Sequence, residues 1–162
     1  VQEGQYVQMI RYKTSVLLGC ALELGILAAE GSREMAKAMY AFGLELGTSF
    51  QIHDDILDAF GDAALVGKQV GGDIRSNKKT MLWIHLAKTQ GSFLRTWELQ
   101  KSDEKVEAIK MAMIEAGSLM HAETQRSHHF KLAMAALDRA KELGAETADL
   151  SALADWIFYR KA

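Results

Sequence analysis

Proline is absent from this sequence of 162 residues, and cysteine occurs once, at Cys20. Proline removes a backbone donor and interrupts helices, so its absence leaves long helices unbroken. A single cysteine excludes any disulfide within the chain, and its apolar surroundings predict a buried structural thiol. Such sparing use of cysteine is typical of a reducing compartment, so we expect a cytoplasmic protein.

Long apolar runs and a concentrated basic surface are also missing. No stretch approaches the ~18 apolar residues that a membrane-spanning helix requires, so we expect no membrane span. The net charge is −2, which excludes the basic footprint of a nucleic-acid-binding protein. Hydrophobic residues make up 49% and charged residues 25% of the chain, which favours a globular domain.

Apolar residues recur at three- and four-residue intervals along the whole chain, which predicts an all-α fold. The first helix is predicted over about 6–30, from a periodic set of residues that includes Leu17 and Leu24. Ser32 is expected to cap a second helix over 33–60. A loop over 61–77 follows it. Further helices are predicted over about 78–89, 93–99, 102–123, 124–143 and 150–159.

Four details of these helices can be checked against a structure. Gly43 and Gly47 lie four residues apart, which predicts the close approach of another helix. Ser102 is expected to cap the helix that follows it, and Met120 to line that helix's inner face. In the last helix we expect three residues to be buried: Leu153, Trp156 and Ile157.

Three aspartates, Asp54, Asp55 and Asp58, interrupt an apolar stretch near the C-terminal end of the second helix. On a helix Asp54 and Asp58 share a face, with Asp55 about 100° away. Partial burial and the helix dipole both disfavour clustered anions there, and a cation relieves the repulsion. Mg²⁺ takes one or two carboxylates and completes its shell with water and substrate phosphates. We therefore predict a metal site for a phosphorylated ligand, against the alternative of a solvated acidic face.

The basic residues around this stretch allow two interpretations. Lys13 is either a surface lysine with a buried stem or a diphosphate contact. Lys68 and Lys78 are predicted to accompany a metal–diphosphate complex. The 61–77 loop is not a P-loop, because Lys68 is followed by Gln69. Farther on, a face with His121, Gln125 and His128 is predicted to be an exposed polar surface rather than a metal site.

These residues together resemble the C-terminal half of a trans-isoprenyl diphosphate synthase (polyprenyl synthetase). The resemblance implies an isoprenoid synthase type helical bundle, represented by its C-terminal portion. It also implies that Mg²⁺-assisted ionisation of an allylic diphosphate precedes attack by isopentenyl diphosphate and loss of a proton. The matching elements are Tyr6, Tyr12-Lys13-Thr14, Phe50-Gln51, Asp54-Asp55, Asp58, Gly61-Asp62, Gly67-Lys68, Gly72-Asp73-Ile74, Asn77-Lys78 and Thr80.

The resemblance assigns expected roles to individual residues. Asp54 and Asp58 would ligate Mg²⁺, with Asp55 in support. The leaving diphosphate would be held by Lys13, Lys68 and Lys78. Catalytic roles would fall to Lys13, Thr14 and Gln51, the last two facing the allylic cation. Substrate-binding residues would be Lys13, Gln51, Lys68, Asp73 and Lys78.

Two departures from the family pattern concern its first half. Asp-Asp occurs only at 54–55 and Arg-Arg nowhere, so the family's first aspartate-rich motif is missing. We expect residues 1–162 to be the C-terminal part of a single polyprenyl synthetase domain without its N-terminal half. That piece would be inactive alone, whereas the full-length protein would be an active prenyltransferase and a homodimer. The alternatives are a non-catalytic partner subunit, a terpene cyclase, or a plain helical scaffold.

Overall fold

The computed structural model describes residues 1–62, 70–97, 99–100 and 102–160. Within these ranges the chain is helical and contains no strand, which confirms the predicted all-α class. None of the described helices is long and apolar enough to cross a membrane. The helices are α1 (Glu3–Ile10), a π-helical turn (Arg11–Ser15), α2 (Val16–Ala28), α3 (Arg33–Phe60), α4 (Gly72–Arg75), α5 (Met81–Trp97), α6 (Asp103–Glu115), α7 (Ser118–Glu142) and α8 (Ala148–Tyr159).

The described residues divide into two compact units. The first contains Val1–Tyr6 and Ile52–Thr124, and the second contains Val7–Gln51 and Gln125–Arg160. In the first unit, both α4 and α5 contact α6. The inner face of α6 is formed by buried residues at helical spacing: Val106, Ile109, Ala112 and Met113. This packing supports the turn that carries α4.

The second unit is built on α3, whose Met39, Phe42 and Leu46 form a core with residues of α7 and α8. The close helix approach predicted at Gly43 and Gly47 is confirmed. A Cβ added at Gly43 would lie 2.8 Å from the Cα of Gly19, and one at Gly47 would lie 2.9 Å from the Cα of Ser15.

The π-helical turn changes which residues of the N-terminal helix point inward. Val16 N–H donates to the carbonyl of Arg11, five residues earlier, so one extra residue enters the turn. The buried positions therefore run from Ile10 to Ser15 and Gly19. Leu17 and Leu24, which belong to the periodic set that predicted this helix, are 77% and 63% exposed.

Three predicted boundaries also differ from the structure. The segments predicted over 78–89 and 93–99 belong to one helix, α5, which bends at Gln90 (φ −136°, ψ 44°). The predicted 102–123 helix ends earlier, at Glu115, because Gly117 adopts φ +71° and α7 begins at Ser118. Met120 consequently lies on a different helix and is 75% exposed, so its predicted inner position is wrong.

Both predicted helix caps agree with the structure, whereas the burial predicted for the last helix does not. The Ser32 hydroxyl accepts the N–H of Met35, and the Ser102 hydroxyl accepts that of Lys105, which confirms both caps. In α8, however, Trp156 is 67% exposed, and the core contact is Ala154. Leu153 is also exposed, and Ile157 is partly buried. Because α8 is apolar on several faces, its sequence does not show which face is buried. Cys20 is only partly buried.

Candidate functional site

The C-terminal part of α3 places its three aspartates in three different environments. Ile52, Ile56 and Ala59 are buried and fix the orientation of this helix in the first unit. Asp55 is then directed inward and is 3% exposed. Asp54 is exposed, and Asp58 is partly buried. The predicted aspartate cluster therefore contains one inward-facing carboxylate and two outer ones.

The inward carboxylate of Asp55 receives two donors. The Tyr6 hydroxyl donates to Oδ2 at 2.7 Å, and Lys78 Nζ lies 3.1 Å from Oδ1. Burial nevertheless raises the pKa of Asp55, although both donors act to lower it. The pKa of the Tyr6 hydroxyl is raised by its own burial and by the nearby Asp55 charge. Tyr6 therefore remains a neutral donor that stabilises the ionised carboxylate.

Asp58 anchors the turn that follows the loop. Its backbone carbonyl accepts the N–H of Gly71 at 2.6 Å, and its Oδ2 accepts the N–H of Asp73 at 2.8 Å. Gly71 has φ +86°, and a Cβ there would lie 2.5 Å from Cγ1 of Val106. Only glycine fits that position, and the turn therefore holds Asp73 beside Asp58. Burial raises the pKa of Asp58, while the backbone donor from Asp73 partly offsets this effect.

Lys78 bridges two carboxylates, that of Asp55 on α3 and that of Asp73 on α4. Its Nζ lies 2.7 Å from Oδ2 of Asp73 as well as 3.1 Å from Oδ1 of Asp55. Burial alone would lower the pKa of Lys78, but the hydrogen bond to Asp73 and the charge of Asp55 outweigh it and raise the pKa. An ammonium group has three N–H donors, and contacts with the described residues occupy two of them. The Lys78 side chain is 38% exposed, which leaves it accessible to a ligand.

Lys105, which the sequence did not single out, holds this turn in place through Asn77 and Gln100. Lys105 is 0% exposed, and its Nζ donates to Oδ1 of Asn77 at 2.6 Å and to the carbonyl of Gln100 at 2.9 Å. Asn77 itself adopts φ +54°, directly before Lys78. The burial of Lys105 could have been predicted from the sequence. This lysine lies at helical spacing from the inner residues Ile109 and Met113, which places it on the buried face of α6.

Three further predicted site residues belong to the second unit. Lys13 and Thr14 both lie in the π-helical turn, a local irregularity that is frequent at functional sites. The Thr14 hydroxyl donates to Oε1 of Gln51 at 3.1 Å, so these two predicted residues are in contact. Lys13 is exposed.

The fit of a metal ion can be judged from the donors. Among the described residues, no group of three or more His, Cys, Asp or Glu side chains is arranged to hold a metal ion. A protein cage of three carboxylates is therefore not preformed at Asp54, Asp55 and Asp58. The outer pair, Asp54 and Asp58, supplies only oxygen donors, which fits a hard divalent cation that uses one or two carboxylates and fills its shell from water and phosphate.

The structure thus brings Asp55, Asp58, Asp73 and Lys78 together in the first unit, and Thr14 and Gln51 together in the second. Lys68 lies outside the described residues. His121 is partly exposed, stacks on His85 with ring centroids 4.6 Å apart, and has its Nε2 3.1 Å from Glu3. Its polar contacts agree with the predicted polar surface.

Comparison with known proteins adds independent information. The profile of the polyprenyl synthetase family matches residues 1–116. The chain is 32% identical over 163 residues to the geranylfarnesyl diphosphate synthase of Aeropyrum pernix, covering 99% of this chain and 51% of that protein. It therefore spans about half the length of the curated relative.

Solved structures show the same correspondence. A crystal structure of a geranylgeranyl pyrophosphate synthase superimposes with a TM-score of 0.85 at 33% identity, covering 100% of this chain and 53% of that one. The geranylgeranyl pyrophosphate synthase of Corynebacterium glutamicum, solved in complex with calcium and isoprenyl diphosphate, gives a TM-score of 0.81 at 28% identity. It covers 98% of this chain and 51% of that one.

Proposed function

Because the chain belongs to the polyprenyl synthetase family, we propose that the whole protein is a prenyltransferase. It condenses an allylic diphosphate with isopentenyl diphosphate and so elongates a prenyl chain. The relatives named above are elongating synthases, which favours this reaction over a terpene cyclase or a non-catalytic subunit.

The observation that supports the proposal most directly is the position of Lys78. It is held between Asp55 and Asp73, and these two contacts occupy two of the three N–H donors of its ammonium group. Negative charge develops on the diphosphate as it leaves, and a preorganised cation stabilises that charge without moving. We assign Asp73 a positioning role, in which it contributes to diphosphate binding through Lys78.

The cofactor that we propose is Mg²⁺, with Asp54 and Asp58 as its ligands. When bound, it would neutralise charge on the diphosphate and so favour departure of that group. Asp55 supports the site from inside, because it orients Lys78 and is itself held by Tyr6. The calcium and isoprenyl diphosphate bound by the Corynebacterium relative support this assignment.

The other predicted residues keep their roles in this proposal. Thr14 and Gln51 direct oxygen atoms toward the allylic cation, supported by their mutual hydrogen bond. Lys13 binds diphosphate, supported by its exposure and by its place beside Thr14 in the π-helical turn. Lys68 is assigned to the diphosphate by its sequence match alone.

We also propose a cytoplasmic homodimer. The exposed apolar side chains of α2, including Leu17 and Leu24, support burial against further protein surface. The single cysteine supports a reducing compartment. Analytical ultracentrifugation of the whole protein tests the dimer, and a monomer at micromolar concentration would contradict it.

The reaction is tested by incubating the whole protein with geranyl diphosphate, labelled isopentenyl diphosphate and Mg²⁺. We expect a longer prenyl diphosphate as product, and at least a hundredfold loss of rate in Asp58→Asn. The matched control is Asp138→Asn, which changes an exposed aspartate on α7 and should leave the rate unchanged. No elongation by the wild-type protein, or equal rates in both variants, would overturn the proposal.

A further inference from the structure

A second feature of the first unit is a cavity that follows the bend of α5. Its volume is about 210 Å³. That is less than the ~300–1,000 Å³ typical of small-molecule sites, so the cavity encloses only part of a ligand. The bend at Gln90 separates Ile84 and Ala87 on one side from Gly91 and Leu94 on the other, and all four line the cavity. The two arms of one bent helix thus form most of the cavity, and Val1 and Lys79 complete its lining.

The floor of this cavity is apolar. Trp83, Ile84 and Leu94 are 4%, 3% and 5% exposed, yet all three contribute to the lining. Gly91 leaves room above this floor, since a Cβ added there would meet no atom within 4 Å. An apolar group of a ligand could therefore lie along the floor without displacing any side chain.

Two cations accompany the apolar floor. Lys79 Nζ lies 4.7 Å from the Trp83 ring centroid, and Arg95 is the other cationic side chain in the lining. Neither forms an ion pair with a described residue, and no acidic residue is among those that line the cavity. Arginine and lysine side chains without acidic partners are suited to a phosphate group.

We propose that this cavity is a second binding site, which takes a prenyl diphosphate. The diphosphate is held by Lys79 and Arg95, and the hydrocarbon chain lies on Trp83, Ile84 and Leu94. The identity of the ligand class rests on the proposed function, because a prenyl diphosphate is a substrate or product of that reaction.

The cavity is distinct from the site at the end of α3. Lys78 contacts Asp55 and Asp73, whereas the adjacent Lys79 contacts the Trp83 ring. Of these two consecutive lysines, Lys78 thus belongs to the aspartate site and Lys79 to the cavity. The aspartates are not among the residues that line the cavity, so binding there requires no divalent cation.

The test uses geranyl S-thiolodiphosphate, an analogue that ionises very slowly, titrated calorimetrically into the whole protein in EDTA. The chelator keeps the proposed metal site unloaded. We expect saturable binding with one molecule per chain, retained in Asp58→Asn. Failure of this binding would overturn the second site while leaving the metal-dependent condensation intact, so the two proposals fail separately.

Variants locate the binding. Gly91→Leu extends a side chain into the cavity and should weaken binding at least tenfold, whereas Gly91→Ala adds one methyl group and should retain it. Lys79→Gln with Arg95→Gln should weaken binding at least tenfold, compared with Lys110→Gln as a control for lost charge. Unchanged affinity in Gly91→Leu or in the double glutamine variant would overturn the proposal.

Further ligands separate the possible sources of a phosphate group. Inorganic pyrophosphate and geraniol should each bind at least tenfold more weakly than the thiolodiphosphate, because each supplies one half of the ligand. Phosphatidylglycerol vesicles should not compete. Equal affinity for pyrophosphate alone, or displacement by vesicles, would overturn the assignment to a prenyl diphosphate.

Discussion

The buried hydrogen bond between Tyr6 and Asp55 allows a sharp quantitative prediction. The substitution Tyr6→Phe keeps the ring in place and removes only the hydroxyl, which donates to Oδ2 of Asp55 at 2.7 Å. Both residues are buried, with exposures of 1% and 3%, so water does not readily replace the lost donor. Hydrogen bonds to charged groups contribute about 1.5–3 kcal/mol, and we expect a loss of about 2 kcal/mol in the free energy of unfolding.

Thermal unfolding followed by circular dichroism measures this loss. For a chain of this length, about 2 kcal/mol corresponds to a fall of about 4–8 °C in Tm. Tyr12→Phe is the matched control, because Tyr12 is 72% exposed and its hydroxyl accepts a hydrogen bond from the exposed side chain of Gln8. A Tyr6→Phe protein within about 0.5 kcal/mol of wild type, or a control that loses as much, would refute the reasoning.

Three further predictions concern other parts of the two units. Gly43→Ala forces a Cβ to 2.8 Å from the Gly19 backbone and should cost about 1–3 kcal/mol by chemical denaturation, whereas Gly25→Ala, with open space around it, should be neutral or stabilising. Lys105→Met leaves the oxygens of Asn77 and Gln100 without their buried donor; it should cost about 3 kcal/mol, and Lys110→Met less than about 1. The pKa of Glu45 is lowered, because its hydrogen bond to His129 and the Arg11 charge outweigh burial. The stabilisation from ionised Glu45 is therefore fully present above the ordinary glutamate pKa of about 4.3. It is lost as the pH falls through the lower pKa of the folded state. The stability difference between wild type and Glu45→Gln should therefore shrink from pH 6 to pH 3, and a constant or growing difference would contradict it.

Local signals in the sequence were sufficient for much of the helical framework. The period of apolar residues located α3 to the residue, and Ser32 and Ser102 marked helix starts because their hydroxyls act within three positions. Gly43 and Gly47 indicated a helix contact because only a missing Cβ permits such an approach. The helix and its caps depend on neighbouring residues, whereas the glycines indicate a contact without identifying its partner.

Other features depend on tertiary structure and could not be predicted in this way. The π-helical turn moves the buried stripe by one residue, and nothing in the period of the sequence shows it. The bond between Tyr6 and Asp55 joins positions 49 residues apart. The two partners of Lys78 become apparent only when the turn is anchored on Asp58. The sequence therefore predicted a site at the aspartates, while the differences in their burial and hydrogen-bond partners are visible only in the fold.

We propose that the outer aspartates of α3 bind a diphosphate through a divalent cation. The most direct test is calorimetric titration of a bisphosphonate into the 162-residue chain, with Mg²⁺ and with EDTA. We expect binding that requires Mg²⁺ and is weakened at least tenfold in Asp54→Ala. It should not be weakened in Asp149→Ala, which changes an exposed aspartate on α8. Binding of equal strength in EDTA, or equal binding by the two variants, would contradict the proposal.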